Sequence, residues 1–180
     1  MKNLDNLETG RLTGRRIQSG DFDLLCRLLQ NPIVAATLGG VRSDEEVQQF
    51  LAKNLDQWNQ HGIGRWMWHS KADGRFVGRG GLHHVELEGR EEIEIGYALV
   101  PEFWKQGLAT EIAKASISVG FNDLNMAELV SFTLPTNLAS RRVMEKCGLS
   151  FEREIVWSDL PHVLYRLKRN DKPTVMTFSE

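Results

Sequence analysis

The stretch EIGYALVPEFWKQGLATEIA, residues Glu94–Ala113, decides the fold, because it leads from a strand into a helix that begins without a cap. From Leu108 onward, apolar residues recur at helical spacing. Between Val100 and Leu108 there is no Ser, Thr, Asp or Asn, the residues whose side chains usually bond the first free N–H groups of a helix. The backbone donors at this helix start therefore need another partner.

A phosphate is one candidate for that partner. Free N–H groups and the positive end of the helix dipole attract an anion. Gly107 lets the backbone approach the anion closely and Ala109 keeps the next turn thin, while Lys105 adds positive charge and Thr110 a hydroxyl. Water or a 3₁₀ turn is the alternative partner. The motifs of P-loops and of dinucleotide-binding folds are absent.

The composition is that of an ordinary soluble globular chain. Its 180 residues are 41% hydrophobic and 26% charged, with a formal net charge of −2. This charge gives no polybasic signal for a nucleic-acid partner, and no apolar run reaches membrane-spanning length. The two cysteines, Cys26 and Cys147, lack metal-ligand spacing, and the first residues contain no apolar signal core. We therefore expect no metal and a cytoplasmic location.

The order of elements predicts an α/β fold with a mixed sheet. Antiparallel strands follow one another through residues 65–100, and the last of them opens a succession of strand, helix, strand, helix and strand. A right-handed crossover should place the strand at residues 127–134 parallel to the strand that ends at Val100. No linker or repeat divides the chain, so we expect one domain over residues 1–170 and a C-terminal tail over residues 171–180.

Two segments resemble the GNAT N-acetyltransferases, in the form of the RimJ/RimL-like branch of ribosomal-protein N-terminal acetyltransferases. The opening stretch is similar to the family's acyl-CoA pyrophosphate motif, Q/R-x-x-G-x-G/A, with Trp104 at the first position. TNLASRRVMEKCGLSFE, residues 136–152, resembles the family segment N-x-x-S-x-x-x-x-E-K-x-G-F, with Leu149 in place of the Phe. Both segments occur in the family's order, and the resemblance extends over about residues 7–168.

The resemblance implies a GNAT fold, a mostly antiparallel sheet with one parallel pair, flanked by helices. It also implies direct acetyl transfer from acetyl-CoA, without a metal, to a primary amine, either a protein N-terminal α-amine or a small-molecule amine. A catalytically silent acyl-CoA sensor or adaptor is the alternative, and we expect a monomer or a homodimer. The residues expected to contact the cofactor are Tyr97, Ala98, Leu99, Trp104, Lys105, Gln106, Gly107, Leu108, Ala109, Thr110 and Asn137.

The resemblance makes Glu94 the first candidate for the general base, since it matches the Glu of the family's EIGY segment. A base is useful because the attacking amine must be neutral. Strict alternation places Glu92, Glu94 and Gly96 on one face of the strand. The family has a bulge here that would shift this parity, which makes Glu92 the runner-up. Two solvated glutamates and a water relay are the alternatives.

Ser140 is the candidate acid for the departing thiolate. It shares the inward stripe of its helix with Val143, Met144 and Cys147. The alternative is a small core residue that bonds its own backbone. Asn137 caps this helix, and the cap does not exclude contact with the cofactor.

Two further features carry weaker expectations. His83 and His84 point to opposite sides of a strand, so they cannot hold one metal together, and one of them packs or lines the acceptor cleft. The segment Glu86–Glu94 contains five glutamates. Such a segment is typical of a solvated hairpin, and it would attract cationic amines if it lies beside the acceptor site.

Overall fold

The structure, a computed structural model, describes residues 4–171. One eight-stranded sheet carries helices on its faces. The strands are β1 (Asn6–Glu8), β2 (Leu12–Arg16), β3 (Arg65–Ser70), β4 (Phe76–Leu87), β5 (Arg90–Leu99), β6 (Glu128–Thr133), β7 (Ser150–Trp157) and β8 (Leu160–Lys168). The helices are α1 (Phe22–Leu29), α2 (Pro32–Ala35), α3 (Asp44–His61), α4 (Leu108–Ser118) and α5 (Leu138–Lys146).

The strand order is β1-β2-β3-β4-β5-β6-β8-β7, and β5 with β6 forms the parallel pair. The mixed fold and the crossover predicted from the sequence are therefore confirmed. β5 and β6 pair at Glu94 and Val130, and the Ser131 hydroxyl donates to the carbonyl of Ile95 at 2.8 Å. Beyond this point residues of both strands line a cavity, so the strands diverge toward their carboxyl ends.

Glycines in β4 bring the layers close together. A Cβ on Gly80 would lie 2.5 Å from the Ile112 side chain of α4, and one on Gly78 would lie 2.2 Å from the carbonyl oxygen of Ala98 in β5. Real Cβ atoms do not approach other atoms so closely. The sequence GRGG in β4 thus lets α4 lie directly against the sheet, with its start beside the end of β5.

One detail differs from the sequence-based expectations. The bulge expected in β5 is absent from its pairing with β4, which runs without a shift from Gly78 opposite Leu99 to Leu87 opposite Arg90. At the N-terminal edge of the sheet, β1 and β2 pair with each other. α4 ends at Ser118, and a π-helical turn follows it. The expected tail lies outside the described residues except for Asp171.

Candidate active site

A cavity of about 450 Å³ opens where β5 and β6 diverge. The end of β5 forms one wall, and the first turns of α4 and α5 form another. Residues of α2 and of the segment after it close the side opposite α4. All the site residues predicted from the sequence line this cavity except Gln106 and Glu92. The fold therefore brings together residues that lie up to about fifty positions apart in the chain.

The start of α4 is uncapped, as the sequence indicates. Gly107 occupies the N-cap position with φ 77°, and no side chain bonds the free N–H groups there. Lys105 also has a positive φ, 60°, so the loop turns sharply twice before the helix. Arg11 braces the loop from outside the predicted motif, because its guanidinium donates to the carbonyl of Gln106 at 2.9 Å. Sequence reasoning missed Arg11, which lies far away in the chain.

Glu94 is buried in the cavity wall, with 8% of its surface exposed. Its Oε2 lies 2.7 Å from Nε2 of His83 and 3.7 Å from Nη2 of Arg65. Burial acts to raise the pKa of Glu94, but His83, Arg65 and Arg79 outweigh it and hold this pKa below its ordinary value. Glu94 is therefore an ionised carboxylate at neutral pH.

His83 stands behind Glu94 and is neutral. Burial first, and then the charge of Arg65, lower the pKa of His83 to about 4. Nε2 lies 2.7 Å from the Glu94 carboxylate and 2.8 Å from Nη2 of Arg65, so in a neutral ring this atom either donates to Glu94 or accepts from Arg65. Nδ1 has no hydrogen-bond partner among the described residues. Of the two adjacent histidines, His83 is thus the one beside the cavity, where it positions the carboxylate.

Glu92 lies two residues away and outside the cavity. Arg166 of β8 binds its carboxylate with two parallel hydrogen bonds of 2.9 and 2.8 Å. Arg90 lies 3.2 Å from the same group. Both Glu92 and Glu94 are buried, so neither is a solvated strand residue. The unbroken register of β5 leaves the two side chains on one face, as strict alternation predicts, with different partners.

Ser140 faces Tyr97 across the cavity. Its Oγ lies 3.0 Å from the Tyr97 hydroxyl, which also donates to the carbonyl of Ser140 at 3.2 Å. Burial raises the pKa of Tyr97, so its hydroxyl stays protonated. The side chain of Asn137 accepts a hydrogen bond from the N–H of Ser140 at 3.1 Å, which confirms the predicted cap. The sequence predicted Tyr97 as a cofactor contact but gave no role to its hydroxyl.

Two buried arginines, Arg65 of β3 and Arg79 of β4, also line the cavity. They are 9% and 6% exposed. Their guanidinium groups lie 5.2 and 5.0 Å from the centre of the Phe50 ring. Sequence reasoning missed both arginines. The available signal was a charged residue within each of two otherwise apolar strands, RWMWHS and FVGRGGL.

The glutamate-rich hairpin does not face the cavity as one surface. Glu88 pairs with Arg153 at 2.7 Å, and Glu92 pairs with Arg166. Of its five glutamates, Glu94 is the one that lines the cavity within the described part of the chain. This placement does not support the expectation that the hairpin attracts cationic amines to the site. Residues 4–170 also hold no group of three or more His, Cys, Asp or Glu side chains arranged for a metal ion.

The family model described as "Acetyltransferase (GNAT) domain" matches residues 11–150. The chain belongs to the GNAT acetyltransferase family. It is 29% identical over 163 residues to the uncharacterized protein YkkB of Bacillus subtilis, covering 90% of this chain and 95% of that one. It is 30% identical over 154 residues to the uncharacterized N-acetyltransferase YoaA of the same organism, covering 82% and 83%.

Solved GNAT structures resemble this fold over most of its length. An acetyltransferase from Agrobacterium tumefaciens superposes with a TM-score of 0.82 at 27% identity, covering 94% of this chain and 97% of that one. RimL, a ribosomal L7/L12 alpha-N-protein acetyltransferase in complex with coenzyme A, superposes at 0.73 with 16% identity, covering 89% and 95%. As a GNAT acetyltransferase, the protein transfers an acetyl group from acetyl-CoA, its co-substrate, to an amine.

Proposed function

We propose that the cavity binds a primary amine of a small molecule beside Glu94 and the acetyl thioester of acetyl-CoA beside Ser140. The observation that carries this proposal is one cavity lined both by a buried carboxylate and by the uncapped start of α4. Its volume of about 450 Å³ is in the range of small-molecule sites. The RimJ/RimL-like resemblance favours a protein N-terminal α-amine as the second candidate acceptor.

The residues supply each proton transfer that the reaction needs. The amine nitrogen forms a bond to the acetyl carbon, and the ionised Glu94 takes its proton directly or through one water molecule. A backbone N–H of Tyr97–Leu99 stabilises the oxyanion. As the carbon–sulfur bond breaks, the hydroxyl pair of Ser140 and Tyr97 donates a proton or a hydrogen bond to the departing thiolate.

The pyrophosphate of acetyl-CoA is assigned to the start of α4. The free N–H groups there and the helix dipole favour an anion, and the positive φ of Gly107 suits glycine. Gly107→Val should therefore weaken CoA binding sharply, because Val tolerates this backbone conformation poorly. Acetyl-CoA should raise the melting temperature of the wild type, and a pantetheine thioester without the pyrophosphate should raise it far less. Equal CoA binding by Gly107→Val would overturn this assignment.

The function is tested by measuring thiol release from saturating acetyl-CoA across a panel of amines and N-terminal peptides. Mass spectrometry checks that each released thiol matches one N-acetylated product. The expected result is turnover on small amines, with peptides as poorer acceptors. A sensor or adaptor would bind acetyl-CoA and raise its own melting temperature, yet release no thiol with any acceptor.

The predictions about the whole chain stay predictions. One sheet spans residues 6–168, which supports a single domain over residues 1–170. No helix in the described range 4–171 is long and apolar enough to cross a membrane. The net charge of −2 supports a small-molecule rather than a nucleic-acid partner. The cytoplasmic location and the monomeric or homodimeric state are tested by fractionation and by light scattering.

A further inference from the structure

Arg79 lacks the partners that a buried arginine usually has. It is 6% exposed and lines the cavity, and its Nε has no hydrogen-bond partner among the described residues. The central carbon of its guanidinium lies 5.0 Å from the centre of the Phe50 ring. A buried charge without a counter-charge is unfavourable, so an unpaired guanidinium in a cavity wall points to a ligand.

The groups around Arg79 do not neutralise it. Arg65 donates to the side-chain oxygen of Asn54 at 2.9 Å, and Arg42 lies 5.5 Å from the same Phe50 ring. Among the described residues, Glu94 is the one carboxylate that acts on Arg79, and it already has Arg65 within 3.7 Å. Two buried guanidinium groups thus act on one carboxylate, and Arg42 adds a further positive charge near them, so this wall of the cavity carries a surplus positive charge.

We propose that Arg79 binds a carboxylate of the acceptor, so that the acetylated amine belongs to an amino-acid-like molecule. The proposal rests on the acetyl transfer proposed above. A guanidinium can bind a carboxylate with two parallel hydrogen bonds. An amino acid presents a carboxylate and an amine a few atoms apart, and the cavity presents Arg79 and Glu94 in the same wall. Polycationic amines would meet the surplus positive charge and be disfavoured.

The experiment uses matched acceptors and matched variants. Each acceptor set holds one amino acid, its amide and the corresponding decarboxylated amine, such as leucine, leucinamide and isoamylamine, for several side chains. The wild type, Arg79→Gln and Arg79→Lys are compared, with Arg153→Gln as the control that removes an exposed arginine outside the cavity. The readouts are kcat and KM for each acceptor, KM for acetyl-CoA, and the ligand-induced shift in melting temperature.

We expect the wild type to prefer the acid over its amide and amine by at least tenfold in kcat/KM, the effect of one charge-assisted hydrogen bond. Arg79→Gln should raise KM for the acid at least tenfold and leave KM for the amide and for acetyl-CoA unchanged. Arg79→Lys keeps the charge but lacks the planar guanidinium, so its KM for the acid should lie between the values of the wild type and Arg79→Gln. Arg153→Gln should match the wild type.

Several outcomes would overturn the proposal. One is that the wild type uses amides or amines as well as it uses acids, and another is an acid preference that survives in Arg79→Gln. A raised KM for acetyl-CoA in place of the acceptor would assign Arg79 to the cofactor. If no acceptor is acetylated, the proposed function fails, but the melting temperature still decides this inference. Stabilisation of the wild type by amino acids that is lost in Arg79→Gln supports a carboxylate site, and no stabilisation of the wild type contradicts one.

Discussion

Glu92 and Glu94 lie two residues apart on one face of β5, and each is buried beside arginine. Glu92 belongs to a group that we call the sheet cluster, in which Arg166 contacts the carboxylates of Glu92, Glu128 and Glu152. Here the carboxylates surround the guanidinium and satisfy its donors. Such a cluster holds strands together, and each guanidinium nitrogen of Arg166 already has a carboxylate partner.

The cavity cluster, formed by Glu94, His83, Arg65 and Arg79, has the opposite balance. Its guanidinium groups outnumber its carboxylate, and the pKa values of the arginines reflect the difference. Hydrogen bonds to Glu92 raise the pKa of Arg166, whereas burial lowers that of Arg79 well below its ordinary value. Both clusters contain glutamate and arginine, so the partners of each buried ion, and not its residue type, distinguish the cluster that we propose to be structural from the one that we propose to be functional.

The largest expected effect is on the rate of Glu94→Gln. Gln keeps the shape of Glu94 but cannot accept a proton, so kcat near neutral pH should fall by roughly 10²–10⁴. Raising the pH should recover part of the loss, because more of the acceptor amine is then already neutral. CoA binding should not change. Steady-state kinetics from pH 6 to 10 measure this, and a wild-type rate would move the base to a water relay.

The next largest effect should follow loss of the Ser140 hydroxyl. Ser140→Ala removes a hydroxyl that bonds Tyr97 and that we propose to act on the departing thiolate, so we expect kcat to fall about 10²-fold. An acyl donor with a more acidic thiol should restore the rate, while high pH should not. Tyr97→Phe is the matched variant, since it removes the other hydroxyl. If only Tyr97→Phe loses rate, Tyr97 and not Ser140 is the acid.

Matched substitutions should separate the two clusters by stability. Arg166→Met leaves the buried carboxylate of Glu92 without its main partner and should lower the free energy of unfolding by on the order of 3 kcal/mol. Arg79→Met removes a charge that no described residue pairs, so stability should stay equal or rise. Urea denaturation of both variants measures this. Equal losses would mean that Arg79 is structural too.

The smallest effect concerns the pH dependence of stability. The pKa of His83 is about 4 when folded and about 6.5 when unfolded, so the unfolded chain binds one more proton between these values. Neutral His83 therefore contributes fully to the free energy of unfolding above about pH 6.5, and this contribution is lost as the pH falls toward 4. Melting temperatures over this window should fall less steeply for His83→Gln. Parallel curves would show that His83 is not held neutral.

The sequence predicted the parts of this site that depend on local pattern. The missing cap before Leu108 and the Asn137 cap are properties of short segments, and both are confirmed. The face of β5 to which each side chain points depended on whether the strand has a bulge. The sequence of one strand cannot show this, since a bulge arises in the pairing of two strands. Sequence alternation alone therefore left Glu92 and Glu94 undecided.

The charge balance of the cavity could not be predicted from the sequence, for a different reason. Arg65, Arg79 and His83 come from two strands that precede β5, and they meet Glu94 only through the sheet register. Arg166 comes from β8, more than seventy residues after Glu92. No spacing rule joins such positions, so the division of roles between the two glutamates appears only after the strands are paired.

The most direct test of that division compares Glu92→Gln with Glu94→Gln in one experiment, with kcat and melting temperature measured on the same preparations. We expect Glu92→Gln to melt at a lower temperature and to keep the wild-type rate, because the carboxylate of Glu92 binds Arg166. We expect Glu94→Gln, assayed well below its melting temperature, to lose at least about 10²-fold in rate. A slow but stable Glu92→Gln beside a fully active Glu94→Gln would contradict the account.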